Sequence, residues 1–470
     1  MNKIIKIGLL SIGVAMTNVA CSDDFVDREF FQEVEQAPLK TDNEVQAFVR
    51  GGYTAMRSNT YYGADFLAYG EVRSDEMISN LAGGYYQNVM NYTMLSNDAY
   101  AVDTYNKIYE LVAKANIVIN TDMATIQGTD NDRKNSRYAQ GQAYALRAIA
   151  FFDAFRLYGQ KYIAGGESLG VVLPLKYDPK ARMPRATIAQ TEAQIDADFT
   201  KALELMTANG SAGNTVKTEL TINSVKGLMS RFYLYKGDYA KVRSLTNDIV
   251  NSGAYSVAPA ALLQETFRFT MNGAAPNSIF ELAVGINSSL STSSYRQRLN
   301  PNGYGNLVVN AATQDEYATN DVRKAFITLV GGQRFLSYNS NASGVGKYTQ
   351  GVGADNIKML RYEEILLNGV EAELNGGSSA QALIHYNKII TNRGLTAVTS
   401  VDMDMLRKER MKELLGEGLR QWDLRRWGIA VPRPAGASTN QDLNAFPIPR
   451  QETDLTGTLV RPNPGYDNSN

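Results

Sequence analysis

The chain has 470 residues, 44% of them hydrophobic and 20% charged, the proportions of an ordinary globular protein with a large core. Forty-seven Lys and Arg against 48 Asp and Glu leave a net charge of −1, which removes the electrostatic case for a nucleic-acid partner. One cysteine and one histidine exclude an intramolecular disulfide and a thiolate metal cluster, leaving only carboxylates as metal ligands.

Lys3 and Lys6 precede an apolar run at 7–16 that is too short to span a bilayer, so residues 1–20 read as a removable signal peptide. Small Ala20 stands just before Cys21, where a bacterial lipoprotein is cut and lipidated, although Asn18 occupies the position that usually carries Leu. Residues 21–40 form a tether. Thr41 with Glu44 three positions later is a helix-start signal, and the helix runs through Val45, Phe48, Val49 and Gly52 to about 56. Residues 57–100 lose periodicity and read as loop. Helical spacing returns at about 101–121, 131–158, 187–207, 221–236 and 238–251. In the last pair, Gly227 and Ala240 are small positions for close helix approach, and Gly237 makes the turn. Residues 252–357 are rich in Gly and Pro and read as a loop-rich insertion. A third helical block covers 359–375, 379–393 and 402–427, and 429–470 reads as an irregular tail. Successive helix hairpins of about 30 residues suggest tetratricopeptide-like units. Residues 41–470 thus form one composite domain, mainly α, with scaffold at 41–56, 101–251 and 359–428.

Motifs of catalysis fail on context. Gly166-Glu167-Ser168-Leu169-Gly170 satisfies G-x-S-x-G, but a helix precedes it and a strand-like run follows, the reverse of a nucleophile elbow. His385, the one histidine, lies far along the chain inside a helix. Gly344 to Lys347 lacks the first glycine and the closing Ser/Thr of a P-loop. Asp122, Asp130 and Asp132 do not have the spacing of a calcium loop.

The 27 tyrosines, against two tryptophans, give better candidates. Tyr61, Tyr62, Tyr85 and Tyr86 lie in the aperiodic segment with Arg73, Asp75 and Asn88, and Tyr295, Asn300 and Tyr304 lie in the insertion. Flat rings for stacking on sugar faces, with amides and carboxylates for hydroxyls, make up a sugar-site composition, and the same rings can grip peptide side chains.

The C-terminal block resembles the SusD/RagB family. Glu409-Arg410-Met411-Lys412-Glu413-Leu414 followed by Glu417-Gly418-Leu419-Arg420-Gln421-Trp422-Asp423-Leu424-Arg425-Arg426-Trp427-Gly428 is similar to its strongest motif. Arg361 to Asn368, Ala380 to Leu395, Phe446-Pro447-Ile448-Pro449 and Asn463-Pro464-Gly465-Tyr466 resemble flanking segments. Upstream, Ala143 to Gly159 resembles the family's central helix. Spacing in the strong motif puts Met411, Leu414, Leu415, Gly418 and Trp422 on one helix face, with Gly418 allowing close approach and charged residues pairing at three and four along the helix. That makes the motif scaffold rather than binding site. The resemblance implies tetratricopeptide-like helix pairs carrying a loop-rich insertion, in a lipoprotein on the outer face of the outer membrane. There it would bind oligosaccharides, with peptide as the alternative, and pass them to a SusC-type TonB-dependent transporter. It implies neither cofactor nor catalysis; a surface glycan hydrolase on the same scaffold is the remaining alternative.

Overall fold

A computed structural model describes residues 37–163, 167–210, 216–338, 345–348, 353–455 and 457–469. The signal peptide, Cys21 and the tether as far as residue 36 lie outside the described residues. Thr41 Oγ1 accepts the Glu44 amide at 3.3 Å and Glu44 accepts the Thr41 amide at 3.1 Å, the reciprocal cap that starts α1 (Asp42–Met56). The segment read as loop at 57–100 holds the helix α2 (Asp65–Val72), with all eight residues buried, and a single helical turn at Gln87–Met90. Next come α3 (Ala99–Ile119), α4 (Asp130–Tyr158), α5 (Ile188–Asn209), α6 (Ile222–Lys236) and α7 (Tyr239–Asn251). Thr129, Thr187 and Thr221 cap α4, α5 and α6 by the same exchange that opens α1. Each scaffold helix packs on the next: α1 on α3, α3 on α4, and so on to α7. This is the mainly α, tetratricopeptide-like arrangement that the periodicity suggests. Among the described residues no helix is long and apolar enough to cross a membrane.

The solenoid is interrupted after α7 and resumes with α8 (Tyr362–Leu374), which packs on both α7 and α9 (Ser379–Ile390). Strands close the interruption. Ser278–Leu282 (β2) pairs antiparallel with Ile357–Arg361 (β8), Leu282 opposite Ile357 and Ser278 opposite Arg361. The block read as helix from 359 therefore opens as a strand and turns helical at Tyr362. Gly227 is indeed a close-approach position, since a Cβ there would lie 2.3 Å from Leu360 Cδ2. Ala240 is not: it is exposed, and Val242, Leu245 and Ile249 bury the inner face of α7.

Two smaller pairings lie inside the insertion, Thr328–Val330 (β4) with Gln333–Phe335 (β5) and Ser337–Tyr338 (β6) with Val345–Gly346 (β7). A third joins the two regions read as separate loops. Met77–Ser79 (β1) pairs with Leu307–Val309 (β3), Met77 opposite Val309 and Ser79 opposite Leu307. No hydrophobic periodicity of three-residue strands some 230 positions apart could announce this pairing.

The strong C-terminal motif is two helices, not one. α10 (Met403–Leu414) and α11 (Arg420–Arg426) are separated at Gly416 and Gly418, whose φ values of 76° and 74° lie in the left-handed region. A Cβ on Gly418 would come within 2.7 Å of Leu67 Cα, and one on Gly70 within 2.1 Å of the Gly418 carbonyl oxygen, so α2 crosses this turn backbone to backbone. The motif's charges also reach outward more than along the helix. Glu413 receives Arg323 (2.9 Å), Arg361 (3.0 Å) and Arg393 (2.8 Å); Glu417 receives Arg361 and Lys347, both at 2.6 Å. Arg410 reaches Asp423 and Arg426 reaches Glu371. All of these groups are buried, so the motif is an ion-pair hub that ties the insertion to the scaffold. Lys347, of the failed phosphate-loop pattern, is one of its members.

Candidate ligand-binding site

The β1–β3 pairing sets residues 80–86 beside 298–306. Asn80 follows β1; its amide N–H donates to the Asn306 carbonyl at 2.9 Å, and its Nδ2 donates to the Gly305 carbonyl and to Gln333 Oε1, both at 2.8 Å. Asn80 Oδ1 accepts from the Ala82 amide at 3.0 Å, and the chain turns sharply through exposed Leu81, Ala82, Gly83 and Gly84. Across from it a helical turn, Tyr295–Arg298, runs into a second tight turn. Asn300 Oδ1 accepts from the Asn302 amide at 2.9 Å, and the Tyr304 amide donates to the Gln297 carbonyl at 2.9 Å. This turn holds Tyr304 outward, 40% exposed.

The two turns bring Tyr85, Tyr304 and Arg298 together. The tyrosine rings are 4.9 Å apart at 64°. The Arg298 guanidinium carbon is 3.8 Å from the Tyr85 ring centre and 4.4 Å from that of Tyr304. Those three distances describe a triangle, with the cation in the corner between two ring faces. Behind the corner Tyr86 is fully buried, its ring stacked on Tyr100 at 5.1 Å and its hydroxyl donating to Asp65 Oδ1 at 2.7 Å. Burial raises the Asp65 carboxyl to about 6, against the Tyr86 hydrogen bond and the Arg298 charge. Burial acts to lower the Arg298 pKa, but Tyr86, the Tyr85 hydroxyl and Asp65 outweigh it and the net shift is upward. A hydrogen bond from Arg298 pulls the Tyr85 hydroxyl below its ordinary value. The corner sets an exposed Tyr304 and a half-buried Tyr85 about a fixed cation, on rigid backing: a geometry for a flat ring carrying polar substituents.

Of the sequence candidates, the fold gathers Tyr85, Tyr304, Asn300 and, behind them, Tyr86. The others take structural posts. Tyr61 and Tyr62 are buried against α4, both hydroxyls donating to Asp153, because the loop that carries them folds under α2. Arg73 is buried, bonded to the Val89 and Leu443 carbonyls and stacked on Tyr92 and Phe446. Asp75 makes a bidentate pair with Arg420, at 2.7 Å on both oxygens. The Asn88 amide donates to Asp98, the cap of α3. Tyr295 is buried, edge-on to Tyr348, in a small cavity shared with Leu67 and Lys358. Arg298 and Asn80 are absent from the sequence candidates; only the long-range pairing reveals them.

A larger groove, about 330 Å³, runs between α3, the segment 172–183 and the tail at 452–460. Several polar groups in its walls are already spent: Tyr109 donates to the Val172 carbonyl at 2.9 Å and Asn116 to the Pro174 carbonyl at 2.8 Å. His385 is buried in α9 beside Gln381, its pKa lowered to about 4 by burial and by Lys388.

Comparison with known proteins places these features in context. Residues 29–234 match a family described as starch-binding and associating with the outer membrane, and residues 330–445 match the SusD family. Two SusD-like proteins of Formosa agariphila are 21% and 23% identical, over 91% and 98% of this chain and 90% and 100% of their own lengths. A SusD superfamily protein of Bacteroides thetaiotaomicron superposes with a TM-score of 0.78 at 23% identity, covering 90% of this chain and all of its own. The surface glycan-binding protein A of the same organism, solved with laminarihexaose, gives 0.70 at 18% identity over 90% of this chain and all of its own. These structures share the fold.

Proposed function

This chain belongs to the SusD/RagB family, and from that premise we propose that it is a surface protein that binds oligosaccharides without cleaving them. In this reading Cys21 carries the lipid that holds it to the outer membrane, and a SusC-type TonB-dependent transporter receives the ligand. The observation that carries the binding reading is the exposed Tyr85–Tyr304 corner. Its ring faces suit the C–H face of a pyranose. The family description as starch-binding and the laminarihexaose complex of a fold relative support carbohydrate as the ligand class. Binding rather than hydrolysis is supported by the corner's make-up: Asp65, the acid that faces Arg298, is buried behind Tyr86 and occupied by its hydroxyl.

The test is calorimetry of the mature chain, as Cys21→Ser, against glycan and peptide panels. At least one glycan binds, is recovered intact, and loses about tenfold in affinity, or ~1.4 kcal/mol, on Tyr304→Ala. Shortened products would favour a hydrolase, and binding confined to peptides would favour the peptide-importer alternative.

A further inference from the structure

We propose that the corner selects anionic oligosaccharides, with Arg298 bonding a carboxylate or sulfate on a sugar whose ring lies against Tyr304. This rests on the oligosaccharide-binding reading above and adds the charge class of the ligand.

Arg298 differs from the other buried arginines. Arg147, Arg323, Arg361, Arg393, Arg410 and Arg426 each meet a carboxylate within 3.2 Å. Arg73 and Arg185 spend their donors on backbone carbonyls. Arg298 is 6% exposed, yet among the described residues it has no carboxylate within 4 Å, and its Nε and Nη1 have no hydrogen-bond partner. Its charge is answered at contact distance by two ring faces and the Tyr85 hydroxyl, and from further off by Asp65 and the Tyr86 ring. Nearby, Asn300 Nδ2 and both side-chain polar atoms of Asn306, one donor and one acceptor, are also buried without partners. Buried donors left unmade are costly and are retained where something else completes them. Here the missing partner is an acceptor, and for a guanidinium the acceptor that repays desolvation is an anion. Tyr304, 40% exposed, covers the cation, so in this proposal its ring swings aside to admit the anion.

The two anion sources differ in chemistry, so both are tested. Mature Cys21→Ser protein is titrated at 50 and 500 mM NaCl with hexamers of maltose, laminarin, oligogalacturonate and chondroitin sulfate. The expected result is at least tenfold tighter binding of an acidic hexamer at low salt, an advantage that shrinks at high salt. Preference for oligogalacturonate assigns a carboxylate; chondroitin sulfate carries both anions, so a sulfate ester is assigned only if it binds tighter than the unsulfated chondroitin hexamer. Arg298→Gln lowers affinity for the acidic hexamer more than for any neutral one, and Arg298→Lys falls between. The salt dependence of the unaltered corner decides the matter even if Arg298→Gln fails to fold. Neutral hexamers binding as tightly as acidic ones would overturn the inference and leave the oligosaccharide reading standing. No binding of any hexamer would overturn both.

Discussion

Two buried carboxyls show how far the chemistry of a residue depends on its surroundings. Glu71 accepts the Gly418 amide at 2.5 Å and shares a hydrogen bond with Glu76, and one oxygen of each is left without a partner. Burial raises Glu71 to about 7 despite the Gly418 bond; burial and the Glu71 charge raise Glu76 as well. A carboxyl whose folded pKa lies above its unfolded 4.5 keeps protons that the unfolded chain has lost, so its stability contribution is whole below 4.5 and drains away as pH rises through 7. Between pH 5 and pH 8 the native protein therefore loses stability through this pair. Glu76→Gln removes one carboxyl and its repulsion, so the variant should lose about 1–2 kcal/mol less over that range in urea titrations. Equal losses would mean that the two groups do not share a proton. Glu71 and Glu76 stand in sequence like any surface acids. What raises them is α2 passing under the 415–419 turn, which no local pattern records.

At the scale of elements, the scaffold helices were legible, while α2, in a segment read as loop, and the interruption of the C-terminal helix were not. Four threonine caps and the 3.6 spacing mark α1 and α4 to α6 almost to the residue. Residues 402–427 carry the same spacing, yet two left-handed glycines split them, because the turn must admit the backbone of α2. The charges that look like pairs along one helix reach Arg323, Arg361 and Arg393 instead, since burial rewards whichever partner the fold delivers. The candidate site follows the same division. Its tyrosines stood out in composition, but their meeting needed β1 on β3, and Arg298 could be picked from its neighbour Arg296 only by its surroundings. The crossing itself is testable. Gly70→Ala places a Cβ against the Gly418 carbonyl, with backbone on both sides and no side chain to yield. It should destabilise by about 3 kcal/mol, the upper end of overpacking costs, as a shift in the urea midpoint. A change under about 0.5 kcal/mol would show that the two segments separate without penalty.

For the whole molecule, a helical array supplies rigidity, and the insertion together with residues 80–86 forms the candidate corner. The insertion even has a small apolar cluster of its own, Ala258, Leu263, Phe267 and Phe326. The tail seals the far end, with the Phe446 amide on the Leu157 carbonyl at 2.7 Å and Asn463 Nδ2 on the Tyr158 and Phe446 carbonyls, both at 2.8 Å. The proposed attachment through Cys21 depends on none of this. Cys21→Ser should leave thermal unfolding unchanged and move the protein from the membrane pellet to the soluble fraction. If it stayed in the pellet through a lipid, the assignment of Cys21 would be wrong.

The β2–β8 pairing has a consequence for how such a protein changes over time. Entry to and exit from residues 283–356 sit side by side at a fixed separation, whatever runs between them. That seam works as a socket. A longer or shorter plug changes the closure entropy by only about 0.6 kcal/mol per doubling of length, while the helices, the ion-pair hub and the plug's own anchors, Arg323, Lys347 and β3, keep their sequence constraints. What the molecule captures is therefore free to diverge faster than what it is built from.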